Sequence, residues 1–450
     1  MALPPTVSGA KPLLGHTVEF LRNPDALVER GLREHGTIFS VKLPGRPGVV
    51  LLGPDHASFL FKETDKRLSI KDAYPFFLHM FGRAYFLAEQ DEYRRQRDIL
   101  LPQFSGKHIA GHIDLMDRKA NEFIDNLPDQ GEFDLVEAFG PLIIDITASS
   151  FLGEDVAAKF DGFFATFKRF SEGMDPILPG WFPAPHLIRS HRARDLLRKK
   201  SKQLIEDRRR NPLPEPDFLQ TLSTAIYADT KEPVPDEVLV AMVLMLVWVG
   251  HETTVSHLSW AVIDLLRNPH ERTKIENEET LDAKTLHRME NLDRALHETE
   301  RLHPVTNGVV RKAVEDIEYD GHTIPKGAIV VLHPGKSHRL DEVFPDPHEY
   351  NPDRFIGQKK PALYGFGGGF HRCLGENFAY TEMKVIVTRL FQRLDLELID
   401  TDPQPAKGQA NNWPQSPCRV RYRKLEGHQD SGEKGTDGRC GEHQASSIHS

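Results

Sequence analysis

Phe366-Gly367-Gly368-Gly369-Phe370-His371-Arg372-Cys373-Leu374-Gly375 is the stretch on which the reading of this 450-residue chain turns. One thiol sits in a glycine-rich loop beside a histidine and an arginine, directly before an amphipathic run from Glu376 to Leu394. Glycines let the backbone turn tightly and approach a flat ligand closely. A helix opening after the loop turns its positive end and free N–H groups toward the sulfur, which is expected to lower the thiol pKa. His371 and Arg372 add donors and positive charge. These features suit an iron porphyrin held by a single thiolate, with the bases toward its carboxylates. The loop alone leaves a second reading open, a turn around an ordinary buried cysteine. Zinc is not expected, because no second Cys lies at metal-ligand spacing.

Composition narrows the class. Hydrophobic residues make up 39% and charged residues 27%, a globular balance with ample material for a core. A formal charge of -9 argues against nucleic acid as a partner. The three cysteines, Cys373, Cys418 and Cys440, fit a reducing cytoplasm and exclude a disulfide scaffold. Met1 to His16 is rich in proline and glycine, without the basic and apolar regions of a leader. The most hydrophobic stretch, Val238 to Gly250, is too short to span a bilayer. The expectation is a soluble cytoplasmic chain with no membrane span.

Along the chain, Thr37–Leu43 and Val49–Leu52 read as a hairpin around Gly45-Arg46-Pro47-Gly48. Residues 55–65 and most of 90–300 carry helical periodicity, broken by proline-rich connections at Pro176–Pro185 and Pro212–Pro216. Residues 308–333 turn β-prone, as does Arg419–Arg423. From about Leu425 the composition shifts to Gly, Ser, His and charge, so 1–424 reads as one folded domain and 425–450 as a disordered tail. Arg189–Arg210 is dense in Arg and Lys. With Asp195, Glu206 and Asp207 interspersed it reads as a solvated helix face rather than an anionic-surface binder.

Residues Pro235 to Asn268 form one long expected helix, with Asp236 and Glu237 in its first turn and Asn268-Pro269 at its end. Gly250, Glu252, Thr253 and Thr254 interrupt its apolar middle, at a cost to helix stability. A glutamate following an apolar run is costly to bury without a purpose. Farther on, Glu298 and Arg301 stand at i and i+3 on one helix face, and Leu302-His303-Pro304 closes that helix.

The loop resembles the haem-binding loop of the cytochrome P-450 family, F-x-x-G-x-[RH]-x-C-x-G, without mismatch. Val249-Gly250-His251-Glu252-Thr253-Thr254 resembles that family's [AG]-G-x-[DE]-T-[TS], apart from Val249. Glu298 to Arg301 matches E-x-x-R, and Pro352-Asp353-Arg354-Phe355 matches P-x-R-F, in family order. The resemblance covers about residues 5–423. It implies a mainly α fold with a small β-rich subdomain, haem b on the Cys373 thiolate, and a monooxygenase. Thiolate donation favours O–O cleavage.

By the same resemblance, Thr253 is the hydroxyl beside dioxygen, Glu252 the acid that relays protons, and Gly250 leaves room over the iron. Glu298, Arg301 and Arg354 form a buried triad behind the loop. Tyr93 to Arg97 is similar to W-x-x-x-R with Tyr for Trp, which makes Arg97 a clamp for a haem carboxylate, together with Arg311 and His371. Phe366 flanks the haem.

Lys71 to Gly82 is similar to the A-Y-P-F…F-G segment of sterol 14-alpha-demethylases, which implies Tyr74 at a haem carboxylate. Phe76, Phe77, Met80 and Phe81, with Trp248 and Val249, then wall a cavity for an apolar substrate. Sterol demethylases carry histidine where Glu252 stands, so kinship is implied rather than the same substrate. Terpenoid, sterol-like, fatty-acyl and polyketide compounds remain open. The alternatives are a sterol 14-alpha-demethylase proper, a peroxygenase, or a non-catalytic haem-binding sensor. Electrons are expected from a ferredoxin and its reductase docking near Arg372, and the chain is expected to be a monomer.

Overall fold

A computed structural model describes residues 2–425 except 83, 159–161, 176–177, 279–284, 286–287, 307, 359 and 407–411. The tail expected at 425–450, with Cys440, lies outside the described residues from 426 onward, as do Pro176 and Asn307.

Helices dominate, and two of them organise the core. The expected long helix runs Asp236–Arg267, with both first-turn acids at its positive end and Asn268 at its C-cap. It buries residues around its full circumference, as a nearly all-apolar sequence must. Its main neighbour is the Leu135–Leu152 helix, started by Asp134, whose carboxylate accepts from Val136 N–H at 3.0 Å and Glu137 N–H at 3.2 Å. Both helices are long and apolar enough to cross a membrane, yet 72% of each apolar window is buried inside the protein, as in core helices. The Ile113–Asp125 and Glu376–Arg393 helices pack together beside them.

The strands fall into three sheets. β1 (Ile38–Leu43) and β2 (Arg46–Leu51) form the expected hairpin, with a tighter turn than the sequence suggests: Gly45 alone takes the left-handed conformation, at φ +76°. β3 is Leu68–Ser69 and β4 is Gln130–Asp134. β5 (Val309–Ala313), β6 (Ile317–Tyr319), β7 (His322–Ile324) and β8 (Ile329–Leu332) come from the β-prone region after the Glu298–Arg301 pair. β9 is Leu394–Leu398 and β10 is Arg419–Lys424.

The five-stranded sheet has order β1-β2-β8-β5-β3 and joins the N-terminal segment to residues 309–332. β2 and β8 run parallel with Val50 opposite Val331, and the other pairs are antiparallel. A second sheet, β4-β10-β9, was not expected as a unit. It rests on non-local pairing between short, polar segments such as Gln130-Gly131-Glu132. The fold is mainly α with small β sheets. The five-stranded sheet carries Arg311, Tyr74 bonds to Val310 of the same strand, and the loop of Cys373 touches the long helix through Phe366 and His257.

Candidate functional site

The glycine-rich loop turns through two left-handed residues, Gly367 at φ +71° and Gly369 at φ +64°, which a side chain would strain. Gly368 has a different reason: a Cβ there would sit 2.4 Å from the Phe61 ring. Cys373 N–H donates to the Phe366 carbonyl at 3.0 Å, closing the loop. The Phe366 ring lies 5.6 Å from Tyr380 and 6.4 Å from His257, so it leans on both the following helix and the long helix.

Cys373 keeps exposed surface although protein surrounds it, which places its thiol on the wall of an interior hollow. Burial pushes this thiol up to about 11. The N–H groups of Gly375 and Glu376 act in the direction expected of a helix start, but desolvation outweighs them. The expected low thiol pKa is therefore not a property of the protein alone. A coordinated metal removes such a proton outright.

Basic side chains converge on the same hollow, and of Arg97, Arg311 and His371 only His371 has a carboxylate partner among the described residues. Arg311 is 2% exposed, and desolvation lowers its pKa. Its Nε donates to Thr64 Oγ1 at 2.9 Å and its Nη1 to the Val310 carbonyl at 2.8 Å, with no carboxylate paired to it among the described residues. Arg97 Nε and His371 Nδ1 are buried with no hydrogen-bond partner. Arg97 lies 4.9 Å over the Phe370 ring. His371 Nε2 faces Asp65 Oδ2 at 2.6 Å, and its ring stacks on Tyr93 at 4.3 Å. Tyr74 OH accepts from Val310 N–H at 3.0 Å, beside Arg311. Buried cations with open donors are costly unless an anion meets them. A ligand with carboxylates and a metal for the thiol fits this set of groups, and haem supplies both.

Behind the loop the triad is assembled. Arg301, fully buried, donates through Nε to Glu298 Oε2 at 2.7 Å and through Nη2 to Oε1 at 2.9 Å. Its Nη groups also reach the carbonyls of His338, Pro347 and Glu349 at 3.1, 2.6 and 2.9 Å. Arg354 Nε donates to Glu298 Oε1 at 3.0 Å, and Asn351 N–H to the same oxygen at 2.7 Å. One residue before Arg301, Glu300 ties the helix to the loop. It accepts from Gly365 N–H at 3.0 Å and from Tyr380 OH at 2.8 Å, and burial raises its pKa to about 7. Sequence reasoning missed Glu300, because a charged residue between the two partners of E-x-x-R reads as solvated.

The long helix carries the acid and the hydroxyls. Glu252 is buried, and its Oε1 accepts from Ser171 Oγ at 2.5 Å. Ser171 in turn accepts from Trp248 Nε1–H at 2.9 Å. The Glu252 carbonyl accepts from Trp413 Nε1–H at 2.8 Å. Thr253 Oγ1 donates back to the Val249 carbonyl at 2.7 Å. Ser171 ends the Phe164–Ser171 helix, and nothing in its sequence marks it as a partner of Glu252. Gly250 differs from expectation. A Cβ there would lie 2.6 Å from Thr147 Cγ2, so Gly250 allows close packing of the Leu135–Leu152 helix rather than leaving open space.

An aromatic wall joins Tyr74 and the Pro75–Phe81 helix to the long helix. Phe77 and Phe81 meet Trp248 at 5.9 and 5.2 Å, Phe76 meets Phe77 at 4.6 Å, and Tyr74 stacks near Phe77 at 5.6 Å. Met80 is fully buried, and Val249 is partly buried against the same core. Arg372 is exposed but neutralised locally, with its Nε on Glu376 at 2.6 Å.

Comparison with known proteins agrees with this geometry. The family model described as Cytochrome P-450 matches residues 4–419. The chain is 29% identical to a sterol 14alpha-demethylase of Mycolicibacterium vanbaalenii, over 93% of this chain and 98% of the relative. It is 30% identical to the sterol 14-demethylase of Arabidopsis thaliana, over 89% and 87%. Among solved structures, the retinoic acid-bound cyanobacterial CYP120A1 superposes with a TM-score of 0.85 at 26% identity, covering 94% of this chain and all of that one.

Proposed function

This chain belongs to the cytochrome P-450 family and is a haem-thiolate monooxygenase, and from that premise we propose that it oxidises an apolar sterol-like or terpenoid substrate. The aromatic wall of Phe76, Phe77, Phe81 and Trp248 carries this reading, because it offers apolar contact with few polar groups to satisfy. The sterol 14-demethylase names of the relatives support the same substrate size. Glu252 in place of histidine favours a related reaction over sterol 14-demethylation itself.

Haem, when bound, supplies the oxygen-activating chemistry, which a thiolate ligand favours. Cys373 would hold the haem iron through its thiolate, with Phe366 packed at the base of its loop. Arg97, Arg311 and His371 offer donors to the haem carboxylates, and Tyr74 shares that region through Val310. The triad of Glu298, Arg301 and Arg354 holds the loop in place from behind. Such buried ion pairs contribute through geometry more than stability.

Proton supply falls to Glu252 and Thr253. Ser171, itself fixed by Trp248, sets the position of the Glu252 carboxyl, and the Thr253 hydroxyl follows Glu252 on the long helix. A reaction that releases water from dioxygen needs protons in a site closed to solvent, so a buried acid of this kind has a task there.

Two electrons per turnover come from outside the chain, and we propose a ferredoxin approaching the side of Arg372. Neutralisation of Arg372 by Glu376 shifts weight to neighbouring bases such as Arg94. Few cysteines support a reducing cytoplasm, and the family resemblance supports a monomer. The test is turnover of sterol-like and terpenoid ligands that induce a high-spin shift, with reductant and oxygen against hydrogen peroxide alone. Product that requires reductant and oxygen supports the proposal. Turnover with peroxide only supports a peroxygenase, and tight binding without product a sensor.

A further inference from the structure

His251 precedes the acid of the long helix, at the position its motif leaves open. The side chain is fully buried, and burial holds the imidazole down at about 4, so the ring is neutral at neutral pH. Its surroundings are aromatic, with the Phe167 ring 5.0 Å away and the Phe164 ring 6.2 Å. An apolar side chain would fill this space without desolvating a polar group, so packing alone does not explain an imidazole here.

One ring nitrogen settles the state of the other. His251 Nδ1 lies 3.0 Å from the Val247 carbonyl, one turn back on the long helix. A carbonyl only accepts, so in the neutral ring Nδ1 carries the proton and Nε2 keeps a lone pair. That Nε2 is buried and has no hydrogen-bond partner. It stands 3.6 Å from Glu252 Oε1, just beyond hydrogen-bond length. An ionised carboxylate there sets one lone pair against another. A protonated carboxyl can donate to Nε2, and a small turn of the Glu252 side chain closes the gap. Both effects favour the acid over its anion.

Ser171 acts in the other direction, since its hydroxyl donates to Glu252 Oε1 and so favours the anion. The two neighbours hold the acid between them, in a balance that lets it give and regain a proton. On and beside the helices packed here, Lys168 pairs with Glu137, Glu172 with Arg189 and Asp145 with Lys119, while His79 turns to Gly180.

We propose that His251 is a positioning residue for proton supply: its Nε2 accepts the hydrogen bond of the protonated Glu252 carboxyl and keeps a proton stored there. This rests on Glu252 as the proton source and names the group that keeps it loaded.

The test reads the carboxyl itself. In the ferric holoenzyme the infrared band of protonated carboxyls is followed against pH, and Glu252→Gln identifies the part that belongs to Glu252. His251→Asn keeps the bond to the Val247 carbonyl but ends short of Glu252. His251→Leu fills the space with neither contact. His251→Gln is long enough to offer an amide oxygen where Nε2 stood. The expected midpoint is lower by about one pH unit, tenfold in acidity, in the Asn and Leu variants and is restored in the Gln variant. The alkaline limb of the pH–rate profile with reductant and oxygen moves by the same amount. The carbon-monoxide spectrum of each variant stays that of the parent, which shows that folding and haem are intact, and Leu decides the matter should Asn misfold. A midpoint that stays in place in the Asn and Leu variants overturns the proposal, as does one that stays low in the Gln variant. So does a parent without a protonated Glu252 band. Unmoved midpoints beside a slow Glu252→Gln enzyme overturn the role of His251 alone. A Glu252→Gln enzyme that turns over at the parent rate overturns the proton source, and this role with it.

Discussion

Glu300 should make the stability of this enzyme depend on pH near neutrality. It is buried between the E-x-x-R helix and the Cys373 loop, and burial lifts its pKa from the usual carboxyl range to about 7. A carboxyl raised in the folded state binds its proton more tightly there than in the unfolded chain. Its favourable contribution is complete below the unfolded pKa and is lost as pH rises through the folded one. A shift of this size corresponds to about 3 kcal/mol once the group is fully ionised in both states. Roughly 2 kcal/mol of that should develop between about pH 5.5 and about pH 8.5.

Glu300→Gln removes the titration while keeping an acceptor for Gly365 N–H and a donor for the Tyr380 oxygen. Denaturant unfolding of parent and variant, followed across this pH range by far-ultraviolet circular dichroism, isolates the term as a difference. The variant should gain on the parent by about 2 kcal/mol from the acid to the alkaline end. A difference that stays flat with pH would show that Glu300 is ionised throughout and that the clamp on Gly365 costs no proton.

Four further outcomes are expected. Glu298→Ala leaves Arg301 buried and unpaired, at a cost of about 3–5 kcal/mol, and should yield protein lacking haem, read from the Soret absorbance per polypeptide. Gly250→Ala pushes a methyl group against Thr147, so thermal unfolding should show a net loss of about 1–3 kcal/mol, largely relieved by adding Thr147→Ala. Glu252→Gln should slow turnover driven by reductant and oxygen by roughly a hundredfold or more, while peroxide-driven turnover changes little. Arg311→Ala should weaken haem retention, measured by transfer to apomyoglobin, because the buried cation proposed to meet a haem carboxylate is lost.

Much of the architecture was legible because it rests on local signals. The long helix has acids at its start, an Asn-Pro stop and an unbroken apolar middle, and its observed bounds Asp236–Arg267 follow those signals. The β1–β2 hairpin and the Glu376–Arg393 helix were legible for the same reason. The β4-β10-β9 sheet was not, because Gln130–Asp134 becomes a strand only by pairing with residues almost three hundred positions away.

The site divides along the same line. Cys373, Glu298, Arg301 and Arg354 stand in spaced motifs. Ser171, Asp65 and Glu300 act through contacts between distant helices and loops, which no local pattern announces. The thiol's protonation was misjudged because a helix end is visible in a sequence, whereas the burial that outweighs it is not. Gly250 was misassigned similarly, since its partner Thr147 lies on another helix.

The central claim is that the Cys373 sulfur carries the iron of a haem. The reduced, carbon-monoxide-bound difference spectrum of the parent enzyme and of Cys373→Ala measures this directly. The account predicts the long-wavelength band of a thiolate-ligated haem in the parent and its loss in the variant. A parent with a nitrogen-ligated spectrum, or a Cys373→Ala protein that keeps the thiolate band, would contradict it.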